Sequence, residues 1–282
     1  MNTASTSPPS GGRAYRDTAL RDNTTLSAVV RVGGRGVAAA ALDETFFSLT
    51  IQDWRDLELV VVLEDERDEL ARAVAATVEA QPWPAAPRYR LLRPGDAGRE
   101  VGRGALLTRA VAEAGGRFLT ILDAGEVVVY QHGYAALVAR LLESGRAVAA
   151  GGCRVAHVRG EAGRGFVLTK DDFTLGRSPL ELFGKRLAPL CAHVIDRARL
   201  GGFELSFKDS ARAERDFLAR LYAATEPDFS TRGVFVCERR LRAGGAGGIL
   251  YAAARGGYRL RGRLSRVRAK LAGRRLDGGE VE

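Results

Sequence analysis

Apolar residues recur along the first half of the chain in two alternating patterns. Short apolar runs typical of buried strands lie at residues 26–32, 57–63, 88–92 and 118–122. Between these runs, segments of helical composition lie at residues 37–49, 68–80 and 104–114. In the first of these segments, Leu42, Phe46 and Leu49 fall at helical spacing. Strands that alternate with helices predict an α/β fold with a doubly wound, mostly parallel sheet.

Two of the predicted strands end on acidic residues. Glu64 follows the run at 57–63, and Asp123 follows the run at 118–122. The carboxyl ends of parallel strands share one edge of a sheet, where open α/β folds bind ligands. The pattern therefore predicts a crevice lined by Glu64 and Asp123. A plain strand-to-turn transition, with Asp and Gly at turn positions, explains the same residues and stays open as the alternative.

Composition indicates a globular protein with a sizeable core, since 46% of its 282 residues are apolar. Residues 1–24 are polar and rich in turn formers, which predicts a disordered arm. The sequence shows neither a long uncharged apolar span nor the apolar core of a signal peptide, so we expect a cytoplasmic protein. Cys153, Cys191 and Cys237 are widely spaced, which predicts small core residues rather than a disulfide framework or a zinc motif.

The net charge of +9 is concentrated in one segment of the chain. From Arg239 to Arg275 there are 12 basic residues and no acidic one, so the remainder carries 9 − 12 = −3. A nucleic-acid binder is expected to interleave basic and aromatic residues across its surface, so we predict no nucleic-acid partner. Leucine and valine form one stripe among the arginines of residues 259–275. This basic amphipathic helix is predicted either to lie on an anionic membrane surface or to dock on the protein.

A glycine-rich segment at residues 33–36 follows the first predicted strand. Its spacing matches neither the dinucleotide fingerprint nor the phosphate loop, so a Rossmann dehydrogenase is not supported. A flexible turn between strand and helix explains it, and a phosphate cradle stays open as the alternative. The three histidines show no metal-ligand spacing.

The order of these features resembles that of family 2 glycosyltransferases with a GT-A fold, over roughly residues 26–235. The most specific match is Phe47–Val62, which is similar to the family pattern S-L-x-x-Q-x-[YW]-x-d-[LW]-E followed by apolar residues. Ala114–Ala124 resembles the segment that ends in the family's D-A-D-D metal motif, and Glu214–Leu221 resembles its E-D-x-D-F-x-x-R-L helix. The resemblance implies a nucleotide-sugar-binding half at 25–150 and an acceptor-binding half at 151–238. The charge pattern sets apart a basic amphipathic C-terminal segment at 239–282.

The resemblance also implies roles for individual residues. A nucleotide-diphosphate donor is expected near Val32, Glu64, Arg103 and Asp123. A divalent cation, Mg²⁺ or Mn²⁺, is expected on Asp123 and Glu126. Glu214 or Asp216 is expected to act as the general base.

These roles imply an inverting, hexosyltransferase-like enzyme. Its acceptor would be a glycan or lipid-linked glycan of the cell envelope, met at the inner face of the membrane. The chain has Gly125 where the family has a carboxylate that meets the metal directly, and a glycine side chain cannot ligate. The alternative is therefore a catalytically inactive GT-A-like module that binds a nucleotide sugar or a glycan.

Overall fold

The computed structural model describes residues 23–33, 39–97, 102–159, 166–173, 189–209, 213–231 and 233–242. Its strands are β1 (Leu26–Val32), β2 (Leu57–Leu63), β3 (Arg88–Leu92), β4 (Phe118–Asp123), β5 (Glu126–Val128), β6 (Val148–Ala150), β7 (Gly152–Arg159), β8 (Phe166–Phe173), β9 (His193–Asp196) and β10 (Phe235–Arg242). Its α-helices are α1 (Ala39–Thr50), α2 (Asp68–Glu79), α3 (Arg103–Glu113), α4 (Gly133–Ser144) and α5 (Ala213–Ala224). Short 3₁₀ turns lie at Pro94–Ala97, Leu190–Ala192 and Arg197–Arg199.

The larger sheet has six strands in the order β3-β2-β1-β4-β9-β6. Strands β3, β2, β1 and β4 are parallel to one another, whereas β9 runs antiparallel to both β4 and β6. The prediction of an α/β fold with a mostly parallel, doubly wound sheet is therefore confirmed. The four predicted strands are present, and β4 continues one residue further, to Asp123.

The central strands form because both of their faces are covered. The aliphatic side chains of β1 and of Leu59–Leu63 in β2 are almost fully buried, as continuous apolar runs in a parallel sheet require. Helix α3 packs on β1 and β2, while α1 packs against β5 and α2. The predicted apolar stripe Leu42, Phe46 and Leu49 faces the core, with each side chain no more than 2% exposed.

The smaller sheet has four strands in the order β5-β10-β7-β8. Strand β5 lies before residue 150 yet joins this sheet, and β9 lies after it yet joins the larger one. The two sequence halves therefore share both sheets. Strand β10 also runs through to Arg242, so the first residues of the predicted basic segment belong to a sheet.

Several predicted features lie wholly or partly on residues outside the ranges that the structure describes. The arm at residues 1–22, the glycine segment beyond Gly33 and the basic helix at 259–275 lie outside the described residues. Asn23 and Thr24, at the end of the predicted arm, bond to the body through the Gly115 carbonyl and the Asp56 carboxylate. Within the described ranges, no helix has the length and apolarity needed to cross a bilayer.

Candidate functional site at the carboxyl edge of the sheet

Glu64 and Asp123 lie at the same edge of the larger sheet, joined by Arg31. In the register of the central strands, Arg31 of β1 stands between Val62 of β2 and Asp123 of β4. Its Nε donates to Asp123 Oδ1 at 2.6 Å and its Nη2 to Oδ2 at 2.7 Å. Arg31 Nε also lies 3.9 Å from Glu64 Oε1. The two acidic strand ends therefore meet at one edge, as the sequence predicted.

Arg31 is a site residue that the sequence reasoning missed. The signal was an arginine inside an otherwise uncharged strand, where a guanidinium needs a partner to be buried. Only 19% of its side chain is exposed. Burial alone would lower the pKa of Arg31, but the Asp123 carboxylate outweighs burial and the pKa is raised. The guanidinium therefore stays charged and fixes the Asp123 side chain.

Glu64 sits over the end of β1 because Gly33 leaves room for it. A Cβ on Gly33 would lie only 1.9 Å from Glu64 Oε2, so any larger residue would displace the carboxylate. Glu64 Oε2 lies 2.5 Å from Nη2 of Arg103, the first residue of α3. The Arg103 side chain is 61% exposed and therefore remains accessible to an incoming anion. Val32 does not fit its predicted contact role, because its side chain is fully buried and its carbonyl accepts from the Glu64 amide.

The turn from Asp123 to Glu126 has a conformation that glycine favours. Gly125 has φ +97°, in the left-handed region that L side chains rarely adopt. Thr45 of α1 holds this turn, since its hydroxyl accepts from Gly125 N at 2.8 Å and donates to Glu126 O at 2.9 Å. A carboxylate-bearing residue at 125 would strain this backbone. The turn is thus built around glycine.

Glu126 points into the protein rather than into the crevice. It is 3% exposed, its Oε2 accepts from Asp123 N at 2.9 Å, and its Oε1 accepts a short hydrogen bond from Arg239 Nε. Burial raises the pKa of Glu126 to about 7, against the opposing effect of Arg239. The Glu126 carboxylate thus bonds to the end of β4 through the Asp123 amide and to β10 through Arg239.

The residues predicted to hold a divalent cation do not form a ligand set. Both Asp123 oxygens accept from Arg31, and both Glu126 oxygens are used inside the protein. Gly125 offers no ligand atom. A cation on Asp123 would also face the positive charge of Arg31 at hydrogen-bond distance, which is repulsive. The paired carboxylates therefore do not fit a resident Mg²⁺ or Mn²⁺.

Glu214, the predicted base, belongs to the same charged cluster. It lies in the first turn of α5, and its Oε1 accepts from Leu190 N at 2.8 Å. Arg239 Nη2 lies 3.1 Å from Oε1 and 3.2 Å from Oε2. Burial alone would raise the pKa of Glu214, but Arg239 and the Leu190 amide outweigh burial and the pKa is lowered. Asp216 is two residues further along α5, so it points away from the face that carries Glu214.

Arg239 is the second site residue that the sequence reasoning missed. It was counted in the basic C-terminal segment, whereas it lies in β10 and bridges Glu126 to Glu214. Arg31 thus links Glu64 with Asp123, and Arg239 links Glu126 with Glu214. Arg103 pairs with Glu64 at the outer end of this row of charges. This arrangement offers an exposed guanidinium for a phosphate and an ionised carboxylate for a proton.

The three cysteines are buried, as predicted, but they also meet. Cys153 of β7, Cys191 of the 3₁₀ turn and Cys237 of β10 are each 0% exposed, and their sulfur atoms lie within 4.8 Å of one another. Sequence spacing gave no sign of this cluster, because the strand pairing that creates it joins distant segments. All three carry free thiols.

Comparisons with known proteins identify the fold. No protein-family model matches the chain, and no curated protein is significantly similar to it. Among solved structures, S. aureus TarS 1-349 in complex with UDP-GlcNAc superposes with a TM-score of 0.53 at 15% identity, over 79% of this chain and 60% of that one. The mannosyltransferase PcManGT from Pyrobaculum calidifontis, in complex with GDP-Man and Mn²⁺, gives 0.50 at 16% identity, over 80% of this chain and 63% of that one.

At such low identity the likeness concerns the fold, which is the mostly parallel α/β fold of GT-A-like glycosyltransferases. The chain spans about 60% of the length of these structures.

Proposed function

We propose that the chain is an inverting glycosyltransferase that moves a sugar from a nucleotide-diphosphate donor to an acceptor hydroxyl. One observation carries the proposal: Glu64, Asp123 and Glu214 meet with Arg31, Arg103 and Arg239 at the carboxyl edge of a GT-A-like sheet. This edge is where open α/β sheets bind ligands. The structural neighbours TarS and PcManGT, seen with UDP-GlcNAc and GDP-Man, support this ligand class.

The donor is proposed to lie over the ends of β1, β2 and β4. Its diphosphate would meet Arg103, whose side chain is 61% exposed, while Glu64 would accept from a ribose or base group. Arg31 keeps Asp123 fixed and adds positive charge beside it. Guanidinium groups suit this task, since they donate to phosphate oxygens in a planar, bidentate geometry.

The transfer is proposed as one displacement at the anomeric carbon. The acceptor oxygen forms the new glycosidic bond while the bond to the diphosphate oxygen breaks, and the nucleoside diphosphate leaves with that electron pair. The hydroxyl proton passes to Glu214, which Arg239 and the Leu190 amide keep ionised. The Glu214 side chain is 25% exposed, so an acceptor can approach it. Its base strength matters less than its position, because the hydroxyl becomes acidic only as the bond forms.

The divalent cation implied by the family resemblance has no step in this scheme. The neighbour PcManGT is seen with Mn²⁺, but the paired carboxylates of this chain are engaged by Arg31 and Arg239. We propose instead that Arg31 and Arg103 offset the charge of the leaving diphosphate. Metal-free binding of a nucleotide diphosphate by the purified chain tests this directly.

A non-catalytic nucleotide-sugar-binding or glycan-binding module is the second candidate. It is favoured by the engagement of Glu214, since both of its oxygens already face Arg239. Such a module would bind donor or glycan without turnover. Product formation separates the two candidates.

The acceptor is proposed to be a glycan or lipid-linked glycan of the cell envelope, met by a cytoplasmic protein at the inner face of the membrane. The basis is the basic segment, whose residues 259–275 combine an apolar stripe with arginines. Anionic lipid headgroups attract a basic amphipathic helix of the kind predicted for these residues.

The deciding experiment is a donor screen followed by a turnover assay. Calorimetry with UDP- and GDP-linked sugars, with and without Mn²⁺, identifies the donor. Release of the nucleoside diphosphate in the presence of glycan acceptors then demonstrates transfer. A bound donor without nucleoside diphosphate release above the Glu214→Gln background supports the binding module. No donor binding contradicts both the transferase and a nucleotide-sugar-binding module, and leaves only a glycan-binding module.

A further inference from the structure

The three cysteines of the chain form a compact cluster, and two of them lie close in sequence to Leu190 and Arg239, which bond to Glu214. They come from β7, β10 and the 3₁₀ turn at Leu190–Ala192, and each is fully buried. Cys153 and Cys237 are register partners on the parallel strands β7 and β10. Cys191 Sγ lies 2.8 Å from Cys237 Sγ. Every thiol in the sequence thus lies within 4.8 Å of the other two.

Two chemistries use clustered thiols: metal binding and disulfide formation. A tetrahedral zinc site has Zn–S bonds of about 2.3 Å, which places its sulfur atoms about 3.8 Å apart. A disulfide needs about 2.05 Å. At 2.8 Å, Cys191 and Cys237 are too close to chelate one ion in ordinary geometry and need less than about 1 Å of approach to bond. The distance therefore permits a disulfide more readily than a chelate.

The charge of the sulfur atoms distinguishes metal binding from disulfide formation more clearly than the distance does. Metal binding requires thiolates, and three thiolates in a fully buried site carry a large desolvation cost. Burial raises the pKa of both Cys191 and Cys237, which favours their neutral thiol forms, whereas hydrogen bonds with these two thiols lower the pKa of Cys153 to about 4. In the described part of the chain, the cluster also supplies three ligands rather than the four of a structural zinc site. A thiol pair and a disulfide are both neutral, so oxidation adds no charge to the core.

We propose that Cys191 and Cys237 are an oxidation site that forms a reversible disulfide with a hydroperoxide as oxidant. One thiol of the pair gives up its proton and attacks the peroxide oxygen, so that its sulfur becomes a sulfenic acid and the proton leaves with water or an alcohol. The second thiol displaces the sulfenic oxygen as water, and the S–S bond forms. Two electrons pass from the sulfur pair to the peroxide, and a dithiol returns them on reduction.

The proposed bond would act on the candidate base from both sides. Cys191 follows Leu190, whose amide donates to Glu214, and Cys237 lies two residues before Arg239, which also holds Glu214. Drawing the two sulfur atoms together shifts one of these partners relative to the Glu214 carboxylate. The oxidised protein is therefore expected to lose transfer activity reversibly; this consequence, unlike the disulfide itself, rests on the proposed function.

The test is intact-mass and thiol analysis of the full chain before and after mild hydrogen peroxide. The expected result is a loss of two hydrogen atoms, a fall from three titratable thiols to one, and a peptide that joins Cys191 to Cys237. A dithiol should restore the starting mass. An unchanged mass, a cross-link through Cys153, or oxygen addition without a cross-link overturns the proposal, as does a purified chain that retains stoichiometric zinc or copper on its thiols.

Matched variants sharpen the result. Cys191→Ala and Cys237→Ala should each abolish the cross-link, whereas Cys153→Ala, the third buried thiol, should retain it. The mass measurement on the unaltered chain decides the disulfide even if a variant fails to fold. A disulfide that forms without changing transfer overturns only the link to Glu214, and absence of transfer in the reduced protein bears on the proposed function alone.

Discussion

Arg239 holds both carboxylate oxygens of Glu214, with Nη2 at 3.1 Å from Oε1 and 3.2 Å from Oε2. Glu214 of α5, the candidate base, is therefore held in place by β10, the strand that follows α5 in the sequence. Because the same guanidinium also bonds to Glu126, one side chain ties the proposed acceptor side to the end of the central sheet. Substitutions in this row of charged residues should therefore have separate effects on the transfer rate, on donor affinity and on stability.

Replacement of Glu214 by Gln tests the base. The amide keeps the size of the side chain but cannot take the hydroxyl proton, and general bases typically contribute about 10²- to 10⁴-fold in rate. The transfer rate should fall by that order while donor affinity, measured by calorimetry, changes little. Asp216→Asn is the matched control and should keep most of the activity. An active Glu214→Gln with an inactive Asp216→Asn would move the role to Asp216, and two active variants would remove the proposal.

Gly33→Ala tests whether Glu64 contacts the donor. The added Cβ would lie 1.9 Å from Glu64 Oε2, so the carboxylate must swing away. Loss of a hydrogen bond to a charged group costs about 1.5 to 3 kcal/mol, which predicts roughly 10- to 100-fold weaker nucleotide binding. Since the clash is with the end of a flexible side chain, the melting temperature should change little. Gly233→Ala, where a Cβ meets nothing within 4 Å, is the control. Unchanged donor affinity would exclude Glu64 from the site.

Arginine rather than a cation is expected to offset the diphosphate charge. Removal of divalent ions by EDTA should therefore leave the thermal stabilisation by a nucleoside diphosphate unchanged, and this stabilisation reports binding by mass action. Arg103→Gln should weaken binding by roughly 10- to 100-fold, whereas Arg109→Gln, on the same helix and paired with Glu113, should not. Stabilisation that requires Mn²⁺ and disappears in Asp123→Asn would restore the metal site implied by the family resemblance.

The buried Glu126 should give stability a measurable pH dependence. Its pKa is raised from 4.5 to about 7, so between these values the folded state holds a proton that the unfolded state has lost. The free energy of unfolding contributed by Glu126 is therefore full below about pH 4.5 and falls as the pH rises through about 7, by about 3 kcal/mol at most.

His193 opposes this trend below its unfolded pKa of 6.5, because burial lowers its folded pKa to about 4. The informative quantity is therefore the difference between the protein and Glu126→Gln, measured by denaturant unfolding from pH 4 to pH 8. This difference should change across the window of Glu126. A pH-independent difference would show that Glu126 does not titrate there.

The basic segment should bind anionic membranes. Each Lys or Arg near such a surface contributes about 1 kcal/mol, and the effect falls off within a Debye length of about 8 Å at physiological salt. Binding to vesicles with phosphatidylserine should therefore weaken steeply with added salt. A chain that ends after Arg242, where β10 ends, should keep its fold and lose vesicle binding. Leu264→Glu with Leu271→Glu keeps most of the positive charge but interrupts the predicted apolar stripe. Vesicle binding that survives either change would contradict the prediction.

The sequence by itself determined the four parallel strands of the larger sheet. Continuous apolar runs predict buried parallel strands because both faces of such strands must be covered, and β1, β2 and β4 lie where those runs are. The sequence also showed that acidic residues end β2 and β4. Because parallel strands end at one edge of a sheet, it predicted that these residues lie at the same edge. Helical spacing in α1 likewise identified its buried face. These are local patterns, and their period is fixed by backbone geometry.

The tertiary structure decided how the charges and thiols are paired. Arg31 and Arg239 occupy the carboxylates that the sequence assigned to a cation, and Glu126 turns inward. The three cysteines meet only because β7 pairs with β10 and the 3₁₀ turn at Leu190–Ala192 packs against β10. Such contacts join residues many positions apart. Local period and composition carry no information about them, because burial and the need to neutralise each buried charge act only once the chain has folded.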